Sequence, residues 1–340
     1  MKKMIIPFAL TFLMLSSSCK NNSNTTSETF VEHADIERTI AYLQEFQKIA
    51  NINNNNRAVG TPGGIASTEF IVKKLKEFGL EPIVQEFTNT KGNKGKNVIV
   101  EIKGSSDKVT MVGAHYDSVE FGPGINDNAT GTAVLLEIIS LLQSQKITPN
   151  HTLRFAFWDS EEIGVAGSKY YVSQLNETDK NNLAHYINVD MVGTKDPKLL
   201  ITDGDGSSWK QLEEKMVASA ETDEEKQTNQ TILENLKKTY PVQVKGAEKL
   251  EQIYSSYLKS KNIAFTDDYL LSNNTDVFPF LGITPTFGIV MTNEHLEDSG
   301  ELLYAPCYHQ ACDTLDNVDK NSLQLALESI SYLLFEIAIK

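Results

Sequence analysis

Two early stretches of the chain carry apolar residues at helical spacing. Over 35–50, Ile36, Ile40, Leu43, Phe46 and Ile49 fall on one face, and 63–78 repeats the pattern up to Gly79, a stop signal. Short β-type runs follow at 97–102, 109–114, 152–158, 185–192 and 199–202, with an apolar-rich helix predicted at 129–142 between two of them. Several runs are continuously apolar, as strands covered on both faces must be, and they alternate with helices. The pattern predicts an α/β three-layer sandwich around a largely parallel mixed sheet. A last helix over 322–339 has a broad apolar face and reads as core rather than anchor. No repeat or second linker interrupts 33–340, so one domain is expected there.

The N-terminus follows a different rule. Lys2 and Lys3 precede a nearly all-apolar stretch, 5–15, which is too short to span a membrane and runs into Ser16, Ser17, Ser18 and Cys19. This resembles a bacterial lipoprotein signal over 1–18, with Cys19 left as a lipidated N-terminus; an ordinary secretory signal with an incidental Cys is the alternative. Residues 20–29 are polar and Asn/Ser/Thr-rich, so 19–32 reads as a tether. The formal charge of −14 argues against a broad nucleic-acid or anionic-membrane surface, and without Lys2 and Lys3 it becomes −16. Membrane attachment would come only through acyl chains on Cys19, placing the chain in a bacterial cell envelope, on its periplasmic or surface face.

In parallel sheets ligands bind off the carboxyl ends of the strands, and here those ends carry metal-binding residue types. The run 109–114 leads into His115-Tyr-Asp117, 153–158 into Asp159-Ser-Glu161-Glu162, and 186–189 into Asp190. A Gly-rich loop, 122–131, places Asp127 before the 129–142 helix, and Cys307-Tyr308-His309 with Cys312 lies near the C-terminus. Each piece alone has a plainer reading. A single His beside a strand is commonly a packing residue, Glu161-Glu162 an acidic turn, and Asp127 between two Asn residues a turn or N-cap.

In this order the blocks resemble the M28-type co-catalytic zinc peptidases, particularly their bacterial secreted aminopeptidases. The blocks are His115-Tyr-Asp117-Ser, Asp127-Asn-Ala-Thr-Gly131, Phe157 to Ser168 around Glu161-Glu162, Asn188-Val-Asp190-Met, Thr275-Asp276 to Phe280, and Cys307-Tyr308-His309-Gln-Ala-Cys312-Asp313-Thr. The resemblance implies the aminopeptidase-like fold and two Zn²⁺ per chain. His115 and Asp190 would hold one ion, Glu162 and His309 the other, and Asp127 both. Three carboxylates plus a hydroxide balance two zinc charges, and three protein ligands per ion leave a position for water or substrate. Asp117 would orient His115, Glu161 would be the general base acting on metal-activated water, and Tyr308 would hydrogen-bond the oxyanion; packing is the plainer reading of Tyr308. Asp276 lies in a matched block without an assigned role.

With Cys19 lipidated, Cys307 and Cys312 remain, and in an envelope compartment they are expected to pair. A Cys–His zinc finger is the competing reading, which two Cys residues serve poorly. The segment 202–208 reads as a turn and N-cap rather than an EF-hand, and 221–246 as an exposed insertion. Some relatives place an Arg before the Ser-Asp of the Asp276 block, where this chain has Asn273-Asn274-Thr275. The leading expectation is a zinc aminopeptidase acting, as a monomer, on peptides with a free N-terminus. Carboxypeptidase or dipeptidase activity, a glutaminyl cyclase and a metal-free binding module are the alternatives.

Overall fold

The computed structural model describes residues 26–239, 243–268, 272–296 and 302–340. The signal over 1–18 and Cys19 lie outside the described residues. Eight strands form one sheet: β1 (Ile83–Thr88), β2 (Lys94–Ile102), β3 (Val109–His115), β4 (Thr152–Trp158), β5 (Leu183–Asp190), β6 (Lys198–Thr202), β7 (Thr266–Asp268) and β8 (Thr286–Thr292), in the spatial order β1-β2-β4-β3-β5-β8-β6-β7. The centre is parallel: β3 pairs with β4 and β5, and β5 with β8. Antiparallel pairs extend it at β1–β2, β2–β4 and β6–β8, which makes the sheet mixed. Every residue of β3 and β8 is buried, as strands covered on both faces require.

The helices are α1 (Ser27–Val31), α2 (Ile36–Ile52), α3 (Pro62–Glu77), α4 (Thr130–Ser144), α5 (Ala166–Ser173), α6 (Glu177–Asn182), α7 (Ser207–Ala218), α8 (Asp223–Thr239), α9 (Ala247–Ser260) and α10 (Lys320–Leu334). Side chains of α2, α4, α9 and α10 share one core with Val112, Ala114, Phe155, Ile187 and Phe287 of the sheet. The opposite face packs Met111, Trp158 and Tyr186 against Tyr171 of α5 and Phe280. Neighbours Met111 and Val112 thus go to opposite layers, following the period-two alternation of a strand. Gly113, the next residue, leaves no room for a side chain, because a Cβ there would lie 2.4 Å from both Trp158 Nε1 and Tyr186 Oη.

Among the described residues of the stretch 19–32, read above as a tether, there is a packed helix. Residues 27–31 form α1, capped by Thr26, and Phe30 is fully buried with its ring 5.6 Å from that of Phe335. Its single aromatic side chain outweighs the polar composition around it. The stretch Lys320–Ile339 is long and apolar enough to cross a membrane by length and composition, yet it packs on α4 and α9 as a core element. The polar segment after β6 is a cap: both Asp203 oxygens accept N–H groups at the start of α7. Asp205 and Glu251 stand beside it, and the cap accounts for the grouping.

Candidate metal centre

Because β3, β4 and β5 run in parallel, with His115 in register with Trp158 and Gly113 with Asn188, their carboxyl ends deliver polar side chains to one edge. His115 ends β3, Asp190 ends β5, and Glu161-Glu162 form a 3₁₀ turn beyond β4. The loop before α4 brings Asp127 into the same space. Asp313 holds this loop, accepting the Asn126 and Asp127 amides at 2.9 and 3.1 Å. Asn128 ties it to β5, donating to the Val189 carbonyl at 2.9 Å and accepting the Met191 amide at 3.1 Å.

The result is two groups sharing one residue. His115 Nε2 lies 3.2 Å from Asp127 Oδ1 and 3.4 Å from Asp190 Oδ1. His309 Nε2 lies 3.3 Å from Asp127 Oδ2 and 3.0 Å from Glu162 Oε2. The two oxygens of Asp127 therefore face two different imidazoles. Asp190 Oδ1, Glu162 Oε1 and Asp117 Oδ2 are buried and accept no hydrogen bond. Within each group the ligand-type atoms lie within 4.8 Å of one another, as donors around a single ion would. Imidazole and carboxylate donors, with buried lone pairs unused, fit a divalent transition metal such as zinc.

The electrostatics point the same way. Burial pushes Glu162 up to about 7, reinforced by the Asp127 carboxylate and opposed by His309. Burial would lower His309, but its hydrogen bonds to Asp127 and Glu162 outweigh that and raise it to about 10. His115 is raised well above its ordinary value against the same burial cost, by Asp190, Asp117 and Asp127. Without added cations, protons must serve as the positive charge among these carboxylates.

The remaining site residues surround these groups. His115 Nδ1 faces the Asp117 carbonyl at 3.2 Å and Asp117 Oδ1 at 3.5 Å, and that same Oδ1 accepts the Glu161 amide at 3.1 Å. Asp117 thereby links the imidazole to Glu161. Glu161 lines a cleft of about 250 Å³ together with Met191, Val290, Tyr304 and Tyr308. Tyr308 stacks on His309 with ring centroids 3.8 Å apart. Cys307 and Cys312 are disulfide-bonded and close the loop that carries His309. A second cleft of about 210 Å³ is lined by Glu162 together with Val59, Phe121, Ile163 and Lys91.

Asp276 is fully buried, accepts a hydrogen bond from Ser168, and is pushed up to about 7 chiefly by burial. Asp313 and Asn128 had no role in the sequence reading. Both stand inside blocks it singled out, but a carboxylate that accepts amides 187 and 186 residues away leaves no local signature.

A family model for peptidase family M28 matches residues 97–334. Among curated proteins, the chain is 32% identical over 256 residues to the Mycobacterium tuberculosis protein named "Probable lipoprotein aminopeptidase LpqL", covering 72% of this chain and 46% of that one. The chain spans about half the length of the curated relatives it matches. Among solved structures, the zinc aminopeptidase BSAP from Bacillus subtilis superposes with a TM-score of 0.67 at 16% identity, over 90% of this chain and 96% of that one. A Bacteroides thetaiotaomicron glutaminyl cyclase superposes with a TM-score of 0.64 at 19% identity, over 89% and 98%. At these identities the superpositions speak for the fold.

Proposed function

Since the chain belongs to peptidase family M28, we propose that it is a zinc aminopeptidase that removes the first residue of peptides with a free N-terminus. The observation that carries this reading is Asp127, whose two oxygens face His115 with Asp190 on one side and His309 with Glu162 on the other. These five side chains would hold two ions. Bound there, zinc would supply a Lewis acid that polarises the scissile carbonyl and eases deprotonation of water.

The chain's own groups supply the rest. Glu161, in the cleft beside both groups, takes the proton of the attacking water on its carboxylate and passes it to the leaving nitrogen. Tyr308 Oη, from the wall of the same cleft, donates to the oxygen that gains charge. Asp117 fixes the His115 ring through Nδ1. The cleft between Met191, Val290 and Tyr304 receives the first side chain, and its acidic floor draws the terminal ammonium. No Lys or Arg lines this cleft among the described residues; Lys91 is one of the residues lining the other, which receives the leaving portion.

A panel of peptides several residues long tests which end is read. Acetylating the N-terminus should remove most activity, and amidating the C-terminus should change little. Release of the last residue instead would make the chain a carboxypeptidase, and cyclisation of N-terminal Gln without cleavage a glutaminyl cyclase.

We further propose that residues 1–18 are a lipoprotein signal and that lipid on Cys19 holds the chain to a bacterial envelope membrane, which agrees with the name of its LpqL relative. Cys19→Ser should move the protein from the membrane to the soluble fraction; unchanged membrane association would contradict the anchor.

A further inference from the structure

Arg57 is fully buried, although it carries a full positive charge and forms no ion pair among the described residues. Burial lowers it only to about 10, with Asp117 and Asp313 the leading opposing charges, so it stays charged at neutral pH. Its donors go to main-chain carbonyls. Nε reaches the Pro123 oxygen at 2.8 Å, one terminal nitrogen the Gly124 oxygen at 2.5 Å, and the other the Tyr116 oxygen. Its plane lies over the Phe46 ring, 5.1 Å from the centroid. Its own amide donates to Ser118 Oγ at 2.9 Å, and that hydroxyl sits 2.8 Å from the Val119 oxygen and 3.0 Å from the Gly122 oxygen.

These carbonyls belong to two segments. Tyr116 follows His115 directly, while Pro123 and Gly124 lead into Asp127. Nothing else would satisfy three buried carbonyls at fixed angles as well as a planar, five-donor guanidinium. We propose that Arg57 is a positioning residue that clamps the His115 and Asp127 segments together from behind, setting the geometry of the His115–Asp127–Asp190 group before any metal arrives. This rests on the metal reading of that group given above. Lysine keeps the charge but has one head, and it cannot serve three carbonyls from one position.

The test is a zinc titration of the metal-stripped protein followed by ¹⁵N NMR of the histidine rings, which reports His115 and His309 separately. In Arg57→Lys, zinc binding sensed at His115 should weaken by about 10- to 100-fold, the range for losing an outer support of a ligand, while binding sensed at His309 changes several-fold less. A purely structural role would weaken both alike or neither, and either result overturns the proposal. If Arg57→Lys does not fold, Ser118→Ala removes the hydroxyl joining the same segments and should show the same asymmetry at smaller size; its absence overturns the proposal equally. Failure of the unsubstituted protein to bind zinc would instead refute the metal reading itself.

Discussion

Glu161→Gln is expected to keep both zinc ions and lose at least about 10²-fold in turnover. The amide has the shape of the carboxylate but cannot accept the proton of the attacking water. Glu161 stands outside both ligand groups, and its backbone is held independently by Asp117 Oδ1 at 3.1 Å, so the substitution leaves the ligands where they are. Glu162→Gln should do the reverse. Its Oε2 lies 3.0 Å from His309 Nε2, so the neighbouring residue is the one whose loss lowers zinc content. Elemental analysis beside steady-state kinetics separates the two. Equal zinc loss in both variants would mean that the roles of these adjacent residues are wrongly divided.

Chelation should abolish hydrolysis, zinc should restore it, and the reloading should expel protons. The sign follows from His309. In the metal-free protein His309 is raised to about 10 by its hydrogen bonds to Asp127 and Glu162, so at pH 8 its ring carries a proton on a nitrogen that a metal needs; neighbouring carboxylates shift His115 in the same direction. The His309 proton stabilises the metal-free fold fully below the unfolded imidazole value, about 6.5, and that contribution is lost as pH rises towards 10. Calorimetric titration at pH 8 in buffers of different ionisation enthalpy should therefore give heats that scale with the buffer. A heat independent of buffer would contradict the charge state assigned to His309, and retained activity in verified metal-free protein would contradict the mechanism.

The parts of the fold legible in the sequence are those whose cause is local. β3 and β4 are short, predominantly apolar runs, and α2 and α4 carry their burial pattern in their own spacing. The metal-type residues were legible because parallel strands present consecutive polar residues at one edge, immediately after each apolar run. β8 was missed although it pairs beside β5 near the sheet centre. It follows Pro279, Gly282 and Pro285 closely, residues that interrupt the apolar stretch before it, and no strand was read there. α1 was missed because its packing depends on one phenylalanine in a polar stretch. Arg57 sits between a run of Asn residues and Ala58, with nothing in the spacing to show that its partners begin 59 residues away. Such residues act through tertiary contacts to carbonyl groups, which every sequence possesses.

Crystals grown with zinc and measured at the zinc absorption edge test the central claim most directly. Two anomalous peaks, about 3.5–4 Å apart, should flank the Asp127 carboxylate, one beside His115 and Asp190 and the other beside Glu162 and His309. A single peak, or peaks away from Asp127, would contradict the shared-carboxylate centre on which the proposed chemistry rests.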